Sequence, residues 1–258
     1  MKPLTELGAR GVRALLFDVD DTFSTAGKIT AQAFAALERL QAAGMRTVAV
    51  TGRPAGWCDH IARMWPVDAV VGENGAFYFR HAGGRLRREY QEAAEVRARH
   101  RERLAHIGAQ IVSAVAGCAL ASDQAYRETD LAIDYCEDVP PLPLEEAERI
   151  ATLMRAAGLR AKVSSIHVNG WFGDYDKLAM TRRLFRAEFA IDLERERDTV
   201  VYVGDSPNDA PMFAFFPKSV GVANLRRFTG LLAHEPKYIT SGDCGAGFAE
   251  LAAHLLGA

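Results

Sequence analysis

The first 71 residues alternate short apolar runs with segments of helical periodicity, and this order restricts the fold more than any other feature of the sequence. The elements expected here are strands and helices over residues 13–18, 31–43, 45–50, 55–65 and 68–71. In the first helix Phe34, Leu37 and Leu40 recur at a spacing of three, and Gly44 follows as a stop signal. Alternation of this kind implies a parallel sheet with right-handed crossovers, so we expect an α/β fold with a doubly wound, Rossmann-like core.

The pattern changes after residue 75, where an α+β block interrupts the parallel sheet. Residues 76–90 are predicted to form a hairpin. The elements expected next are an arginine-rich helix to residue 107, strands near 111–115 and 131–135, a helix over 145–157 and two strands within 160–172. The parallel pattern returns with a helix over 177–189 and strands over 199–204, 219–222 and 237–239.

This interruption predicts two domains. We expect residues 1–82 and 175–258 to form the catalytic core, and residues 83–174 to form an inserted α+β cap. The cap is expected over the carboxyl edge of the sheet, because doubly wound folds bind their ligands there.

Composition narrows the classes of function. The 31 Lys and Arg residues nearly balance the 33 Asp and Glu residues, so the sequence lacks the basic excess of nucleic-acid-binding proteins. No apolar run is long enough for a signal-peptide core or a membrane span. The four scattered cysteines include no CxxC pair and are interpreted as free thiols. We therefore expect a cytoplasmic protein without nucleic-acid or membrane partners; the sequence does not predict its oligomeric state.

Two acidic motifs follow directly after apolar strands. Asp18, Asp20 and Asp21 lie within four residues, and carboxylates this close at the mouth of a sheet require a cation or a paired lysine. The spacing of Asp18 and Asp20 lets a nucleophile and an acid/base face one reacting group. The second motif contains Asp205 and Asp209. Two acidic strand ends side by side supply the hard oxygen ligands that Mg²⁺ prefers.

Two further elements complete this constellation. Thr51 and Gly52 follow another strand, where a hydroxyl and backbone N–H groups can hold a phosphate. Lys177, near the start of a helix, can neutralise both a phosphate and the nucleophilic Asp18. Lys162 and Lys218 are alternatives, but only Lys177 lies where the expected cap returns to the core.

Together these motifs resemble the haloacid dehalogenase superfamily, over about residues 11–82 and 174–250. The family pattern is Asp-x-Asp-x-Thr/Val, then Thr or Ser, then Lys, then Gly-Asp-x-x-x-Asp. Residues 73–76 and 221–224 also resemble the branch with a large α+β cap between the second and third motifs. That branch contains the Cof-like, sucrose-phosphate and mannosyl-3-phosphoglycerate phosphatases and the eukaryotic-type phosphomannomutases.

The resemblance implies a role for each motif residue. Asp18 would be the nucleophile, forming an aspartyl-phosphate, and Asp20 the acid/base. Mg²⁺ would be bound by Asp18, the backbone carbonyl of Asp20 and Asp205, with Asp209 supporting its water shell. The residues expected to hold the phosphate are Thr51, Gly52, Lys177 and Asn208. The sequence departs from the family where Asp21 replaces the usual Gly and where Leu178 follows Lys177 in place of Gly.

The resemblance also implies a substrate class, a small phosphate monoester such as a sugar phosphate or a phosphorylated sugar acid. His167, Asn169 and Trp171 alternate along an expected cap strand and are candidate substrate contacts. One alternative is a phosphomutase of the phosphomannomutase type, which uses the same nucleophile and acid. A non-enzymatic alternative is a receiver module, but receivers are about half this length and lack both a cap and an acid/base like Asp20.

Overall fold

The computed structural model describes residues 1–257. Its strands are β1 (Lys2–Pro3), β2 (Ala14–Phe17), β3 (Arg46–Val50), β4 (Ala69–Gly72), β5 (Phe77–Ala82), β6 (Arg85–Tyr90), β7 (Ala119–Leu120), β8 (Asp130–Asp134), β9 (Arg160–Val163), β10 (His167–Trp171), β11 (Val200–Gly204), β12 (Lys218–Gly221) and β13 (Tyr238–Ile239). Its α-helices are α1 (Ala31–Ala42), α2 (Ala55–Met64), α3 (Ala94–Ala114), α4 (Leu144–Ala156), α5 (Lys177–Leu184), α6 (Leu193–Glu196), α7 (Ala210–Phe215) and α8 (Cys244–Leu256). Within residues 1–257, no helix combines the length and the apolar character needed to cross a membrane.

A nine-stranded sheet has the order β1-β13-β12-β11-β2-β3-β4-β5-β6. The strands from β1 to β4 in this order pair in parallel, and β5 and β6 extend the sheet in antiparallel fashion. The predicted α/β class with a parallel-dominant sheet is confirmed. In the sheet, β2 lies between β3, the next strand in the sequence, and β11, which comes much later. The strand order therefore reverses at β2, and the carboxyl ends of these three strands lie at a topological switch point.

Both faces of the central strands β2, β3, β4 and β11 are buried, as their near-continuous apolar sequences predict. In β2, Leu15 and Phe17 pack into one core cluster with α1 and α8, while Ala14 and Leu16 pack into the opposite cluster with α5 and α7. This division follows from the alternation of side chains along a strand. The central strands are therefore fixed from both sides, which holds the loops at their carboxyl ends in place.

A second, four-stranded sheet has the order β7-β8-β10-β9 and is antiparallel throughout. Helices α3 and α4 pack against it around a separate apolar core. The strand predicted near residues 111–115 is wrong, because α3 continues through Ile111. Leu104, Ile107 and Ile111 recur at spacings of three and four, so the apolar run belongs to the buried face of the helix.

The hairpin predicted for residues 76–90 is present as β5 and β6, and both strands belong to the nine-stranded sheet. The expected domain boundary between residues 82 and 83 therefore falls in the turn of a hairpin that stays with the large sheet. Strands of the small sheet begin only at Ala119.

Candidate active site

Lys177 lies between two carboxylates at the carboxyl edge of the large sheet. Its Nζ donates to Oδ1 of Asp18 and to Oδ1 of Asp209, each at 2.7 Å. All three side chains are buried. Burial raises the pKa of Asp18 to about 8, although the charge of Lys177 opposes this. Burial also disfavours the charged form of Lys177, but Asp18 and Asp209 more than offset it and raise the pKa of the ammonium group. Lys177 is thus the cation that the acidic motifs require.

The chain positions Lys177 through the start of α5. Asp176 caps the helix by accepting a hydrogen bond from the N–H of Ala179 at 2.8 Å. Gly75 has a φ of +105°, and a Cβ at this position would collide with the backbone carbonyl of Asp176. Gly75 therefore permits the close approach that brings Lys177 to the sheet edge. The alternative Lys218 points elsewhere, since its Nζ donates to the carbonyl of Arg10.

Asp209 is a fully hydrogen-bonded carboxylate. Its Oδ2 accepts from the backbone N–H groups of Asp205, at 3.1 Å, and Ser206, at 3.3 Å. Its Oδ1 accepts from the hydroxyl of Tyr202 as well as from Lys177. A Cβ on Gly204 would collide with this carboxylate, which explains a glycine at that position of the motif. Asp209 therefore fixes the turn that carries Asp205.

Asp18, Asp205 and Asp209 form a buried carboxylate cluster. One oxygen from each lies within 4.8 Å of the others. Burial, together with the charges of Asp18 and Asp209, raises the pKa of Asp205 well above its usual range. Buried carboxylates that repel one another and offer hard oxygen donors fit a divalent metal ion. Asp209 accepts four hydrogen bonds, one of them from the Lys177 ammonium at 2.7 Å. The donors to Asp205 all lie at 3.2 Å or more, so Asp18 and Asp205 are the better candidates for direct ligands.

Arg227 links Asp205 to the unusual residue at position 21. Asp21 has a φ of +52°, in the left-handed region that glycine adopts most readily. Its Oδ2 accepts from Arg227 at 3.0 Å, and the same guanidinium nitrogen lies 3.2 Å from Oδ2 of Asp205. Asn224 donates to that same oxygen at 3.3 Å, and the Thr22 hydroxyl donates to Oδ1 at 3.4 Å.

Asp20 is held by Arg53. The guanidinium donates through Nε at 3.0 and 2.9 Å, and through one terminal nitrogen at 2.8 Å. Arg53 is only 5% exposed, and it also reaches Glu137 at 2.6 Å and Asp123 at 3.3 Å. Its backbone N–H donates to Oγ1 of Thr51 at 3.0 Å. One arginine therefore connects the candidate acid/base to two carboxylates outside the large sheet.

A narrow cavity of about 10 Å³ brings most of the predicted site residues together. Its lining residues are Asp18, Asp20, Gly52, Arg53, Ser164, Ser165, Ile166, His167, Asn169 and Asn208. Asn208 is buried, accepts from the hydroxyl of Ser206 at 2.9 Å and donates to Asn74 at 3.4 Å. Thr51 follows the end of β3 and is fully buried. Its hydroxyl accepts a hydrogen bond from the backbone N–H of Arg53, which lines this cavity.

The three candidate substrate residues lie on β10, as predicted, but in different surroundings. His167 Nε2 lies 2.8 Å from Glu137, and Asn169 donates to Asp130 at 3.1 Å. Trp171 belongs to the core cluster of the large sheet, stacks on Tyr175 and donates to the carbonyl of that residue at 3.2 Å. It is not among the residues that line the narrow cavity, whereas His167 and Asn169 are.

A buried network next to the site was not predicted. Glu73 accepts hydrogen bonds from the N–H groups of Ala55, Glu128 and Thr129, and from the Thr129 hydroxyl. Arg127 donates to Asp130, Asp123 and the carbonyl of Gly52. The only sequence signal was the motif at residues 73–76; Arg127, Asp130 and Glu137 belong to no recognisable pattern.

Comparison with known proteins bears on the fold and on the family resemblance. Residues 15–102 match the family model described as haloacid dehalogenase-like hydrolase. The chain has the haloacid dehalogenase-like fold. The resemblance drawn from the motifs and the prediction of a haloacid dehalogenase-like enzyme are therefore confirmed. Haloacid dehalogenase-like hydrolases generally use a divalent metal, and this structure contains the buried cluster of Asp18, Asp205 and Asp209.

Solved structures with a similar fold match the chain over nearly its whole length. The Thermoplasma acidophilum protein 0175 has a TM-score of 0.70 and 15% identity, over 95% of this chain and 98% of that one. The C-terminal domain of Candida albicans trehalose-6-phosphate phosphatase has a TM-score of 0.68 and 14% identity, over 96% and 93%. The sucrose-phosphatase of Synechocystis, solved with sucrose and phosphate, has a TM-score of 0.61 and 17% identity, over 95% and 98%. No curated protein sequence matches the chain.

Proposed function

We propose that the protein is a magnesium-dependent phosphatase that hydrolyses a small phosphate monoester, a sugar phosphate or phosphorylated sugar acid, through an aspartyl-phosphate. The observation that carries this proposal is the buried Lys177, whose Nζ lies 2.7 Å from both Asp18 and Asp209 beside Asp205. The haloacid dehalogenase-like family match and the sugar phosphatases among similar structures support phosphatase activity.

The proposed reaction has two steps. A carboxylate oxygen of Asp18 attacks phosphorus, the bond from phosphorus to the leaving oxygen breaks, and Asp20 gives that oxygen a proton. Asp20 then takes a proton from water, whose oxygen attacks the phosphorus of the aspartyl-phosphate and releases Asp18 and inorganic phosphate. Arg53 restricts the orientation of Asp20 throughout, and the lone pairs of the carboxylate that Arg53 does not use remain available for the proton.

Charge neutralisation comes from residues around the phosphoryl group. Lys177 offsets negative charge on the phosphoryl oxygens, while Thr51, Gly52 and Asn208 donate hydrogen bonds to them. Asp18, the backbone carbonyl of Asp20 and Asp205 would hold Mg²⁺, and Asp209 would support the site by fixing the turn that carries Asp205. When bound, the metal supplies charge stabilisation at the transferred phosphoryl group.

The four-stranded sheet with α3 and α4 is the proposed cap, and the nine-stranded sheet with its helices is the proposed core. Because core residues contact only the phosphoryl group and metal, the cap is assigned the recognition of the leaving group. Its side of the site contributes Glu137, Ser165, His167 and Asn169. The proposed compartment is the cytoplasm.

The direct test is phosphate release from a panel of phosphorylated metabolites, with Mg²⁺ and with a chelator. We expect release that requires Mg²⁺ and disappears in Asp18→Asn, because an amide cannot attack phosphorus. Asp198→Asn is the matched control, since Asp198 is exposed. Turnover in a folded Asp18→Asn protein would contradict the mechanism, and isomerised sugar phosphate without net phosphate release would favour the mutase.

A further inference from the structure

A second cavity, of about 480 Å³, is lined in part by Asp20, the proposed acid/base. It is larger than the narrow cavity and shares Asp20, Arg53, Ser165 and Ile166 with it. The charged residues that line it are Asp20, Asp21, Arg53, Glu137, Asp138 and Arg227. They comprise four carboxylates and two guanidinium groups, so the lining is negative overall.

The two guanidinium groups of this cavity are already paired. Arg53 binds Asp20 and Glu137, and burial of Arg53 leaves it little freedom to turn to another anion. Arg227 is shared between Asp21 and Asp205. A second phosphate or a carboxylate on the substrate would therefore meet carboxylates without an available cation among the residues lining this cavity.

Ser165 points to an uncharged ligand. Its hydroxyl is buried and has no hydrogen-bond partner within residues 1–257, and the residue lines both cavities. A buried hydroxyl without a partner costs free energy, which a ligand hydroxyl can recover by donating to it or accepting from it. The carboxylates of Glu137 and Asp138 are acceptors that suit further ligand hydroxyls.

We propose that the leaving group is an uncharged, hydroxyl-rich alcohol, so that the substrate is the monophosphate of a sugar or polyol without a second anionic group. The specificity-determining residues are Ser165, Glu137 and Asp138. All three form hydrogen bonds with hydroxyl groups of the substrate, and the carboxylates of Glu137 and Asp138 also repel anionic groups. This inference rests on the proposed phosphatase activity, and it excludes phosphorylated sugar acids and the bisphosphate that a mutase must hold.

Matched substrate pairs test the charge selection. Sorbitol 6-phosphate and 6-phosphogluconate differ at the far end as CH₂OH and carboxylate, and glycerol 3-phosphate and 3-phosphoglycerate form a shorter pair. We expect kcat/KM to be at least about tenfold higher for the uncharged member, since like charges brought together in a partly desolvated site are strongly disfavoured. Equal or higher kcat/KM for the acids in both pairs would overturn the proposal.

Two variants locate the effect. Asp138→Asn should reduce the ratio of kcat/KM for the uncharged substrate to kcat/KM for the acid by about threefold or more in each pair. The reason is that the variant removes one carboxylate that repels the carboxylate of the acid. Asp138 is exposed, so the fold should tolerate its substitution, and Glu145→Gln, at an exposed position of the proposed cap, is the control. Ser165→Ala should lower kcat/KM for the polyol phosphate by about tenfold through a lost hydrogen bond, and by a clearly smaller factor for p-nitrophenyl phosphate, whose leaving group has no further hydroxyls. The control is the exposed Ser113→Ala.

The outcomes separate this inference from the activity on which it rests. If p-nitrophenyl phosphate and every other phosphate ester fail to react with Mg²⁺ present, the proposed phosphatase itself is wrong. If they react but Asp138→Asn leaves the ratios unchanged and Ser165→Ala affects all substrates equally, the phosphatase stands and the selection mechanism is wrong.

Discussion

Asp21 and Asp205 share one guanidinium nitrogen of Arg227, at 3.0 and 3.2 Å. Asp21 thus adds a negative charge beside the proposed metal site and also recruits the cation that offsets it. The departure from glycine at position 21 therefore affects Asp205 through Arg227.

The first prediction concerns metal affinity. Asp21→Gly should weaken Mg²⁺ binding by roughly 3- to 10-fold, because Arg227 then pairs with Asp205 alone and competes with the metal. Arg227→Ala should strengthen binding by a similar factor. Isothermal titration with Mg²⁺ measures both, with the exposed Arg226→Ala as control. Shifts of the same sign in the two variants would show that the shared guanidinium does not control Asp205.

The second prediction concerns Gly204. Gly204→Ala should destabilise the protein by about 1–3 kcal/mol, as overpacking a well-filled site does, because the new methyl group meets the Asp209 carboxylate. Displacing Asp209 should also weaken its contact with Lys177 and reduce turnover. Urea denaturation provides the free energy of unfolding. Gly8→Ala is the control, since a Cβ there meets no atom within 4 Å, and equal stability of the two variants would contradict the prediction.

The third prediction separates stability from substrate contact at Trp171. Trp171 is 1% exposed, so Trp171→Ala should cost about 3–5 kcal/mol of stability. Trp57, which is 42% exposed, is the control, and Trp57→Ala should cost about 1 kcal/mol or less. Thermal unfolding measures both. A Trp171→Ala protein with parental stability and an altered substrate preference would instead support the contact expected from the strand pattern.

The fourth prediction concerns acid stability through Glu137. Burial opposes ionisation of Glu137, but the close contact with His167 and the hydrogen bonds from Arg53 lower its pKa from 4.5 to about 2. A depressed carboxyl pKa contributes stability that is complete above pH 4.5 and is lost as the pH falls from there through 2. In Glu137→Gln this component, about 2 kcal/mol, should be absent, so stability should fall less steeply with acid. Denaturation across this pH range checks the slope against Glu145→Gln, and identical slopes in parent and Glu137→Gln would refute the assignment.

The motif residues could be predicted because their positions depend on local sequence. Asp18, Thr51 and Asp205 each follow an apolar strand directly, so identifying the strand places the residue at the carboxyl edge of the sheet. Lys177 could be predicted because it lies near the start of a helix, at the point where the chain returns from the inserted block to the core. These placements needed no knowledge of distant contacts.

Other parts of the site depend on contacts that no local pattern marks. Arg227 lies in a 3₁₀-helix (Ala223–Phe228) and Glu137 in a loop. Each reaches the site through an ion pair with a residue distant in the sequence, which no local pattern reveals. The error at residues 111–115 has a different cause. A short apolar run fits either a strand or one face of a helix, and packing of α3 against the small sheet decided between them.

The Glu73 carboxylate has a consequence for how this protein can change. Three of its four donors are main-chain N–H groups, two of them at Glu128 and Thr129. Since main-chain donors are present whatever the side chain, substitutions at residue 128 leave the connection intact, and those at residue 129 remove only the hydroxyl. The segments of the proposed cap around residues 128 and 129 can therefore diverge in sequence while the Glu73 carboxylate keeps its main-chain contacts with them. Loss of Glu73 itself would remove that tolerance.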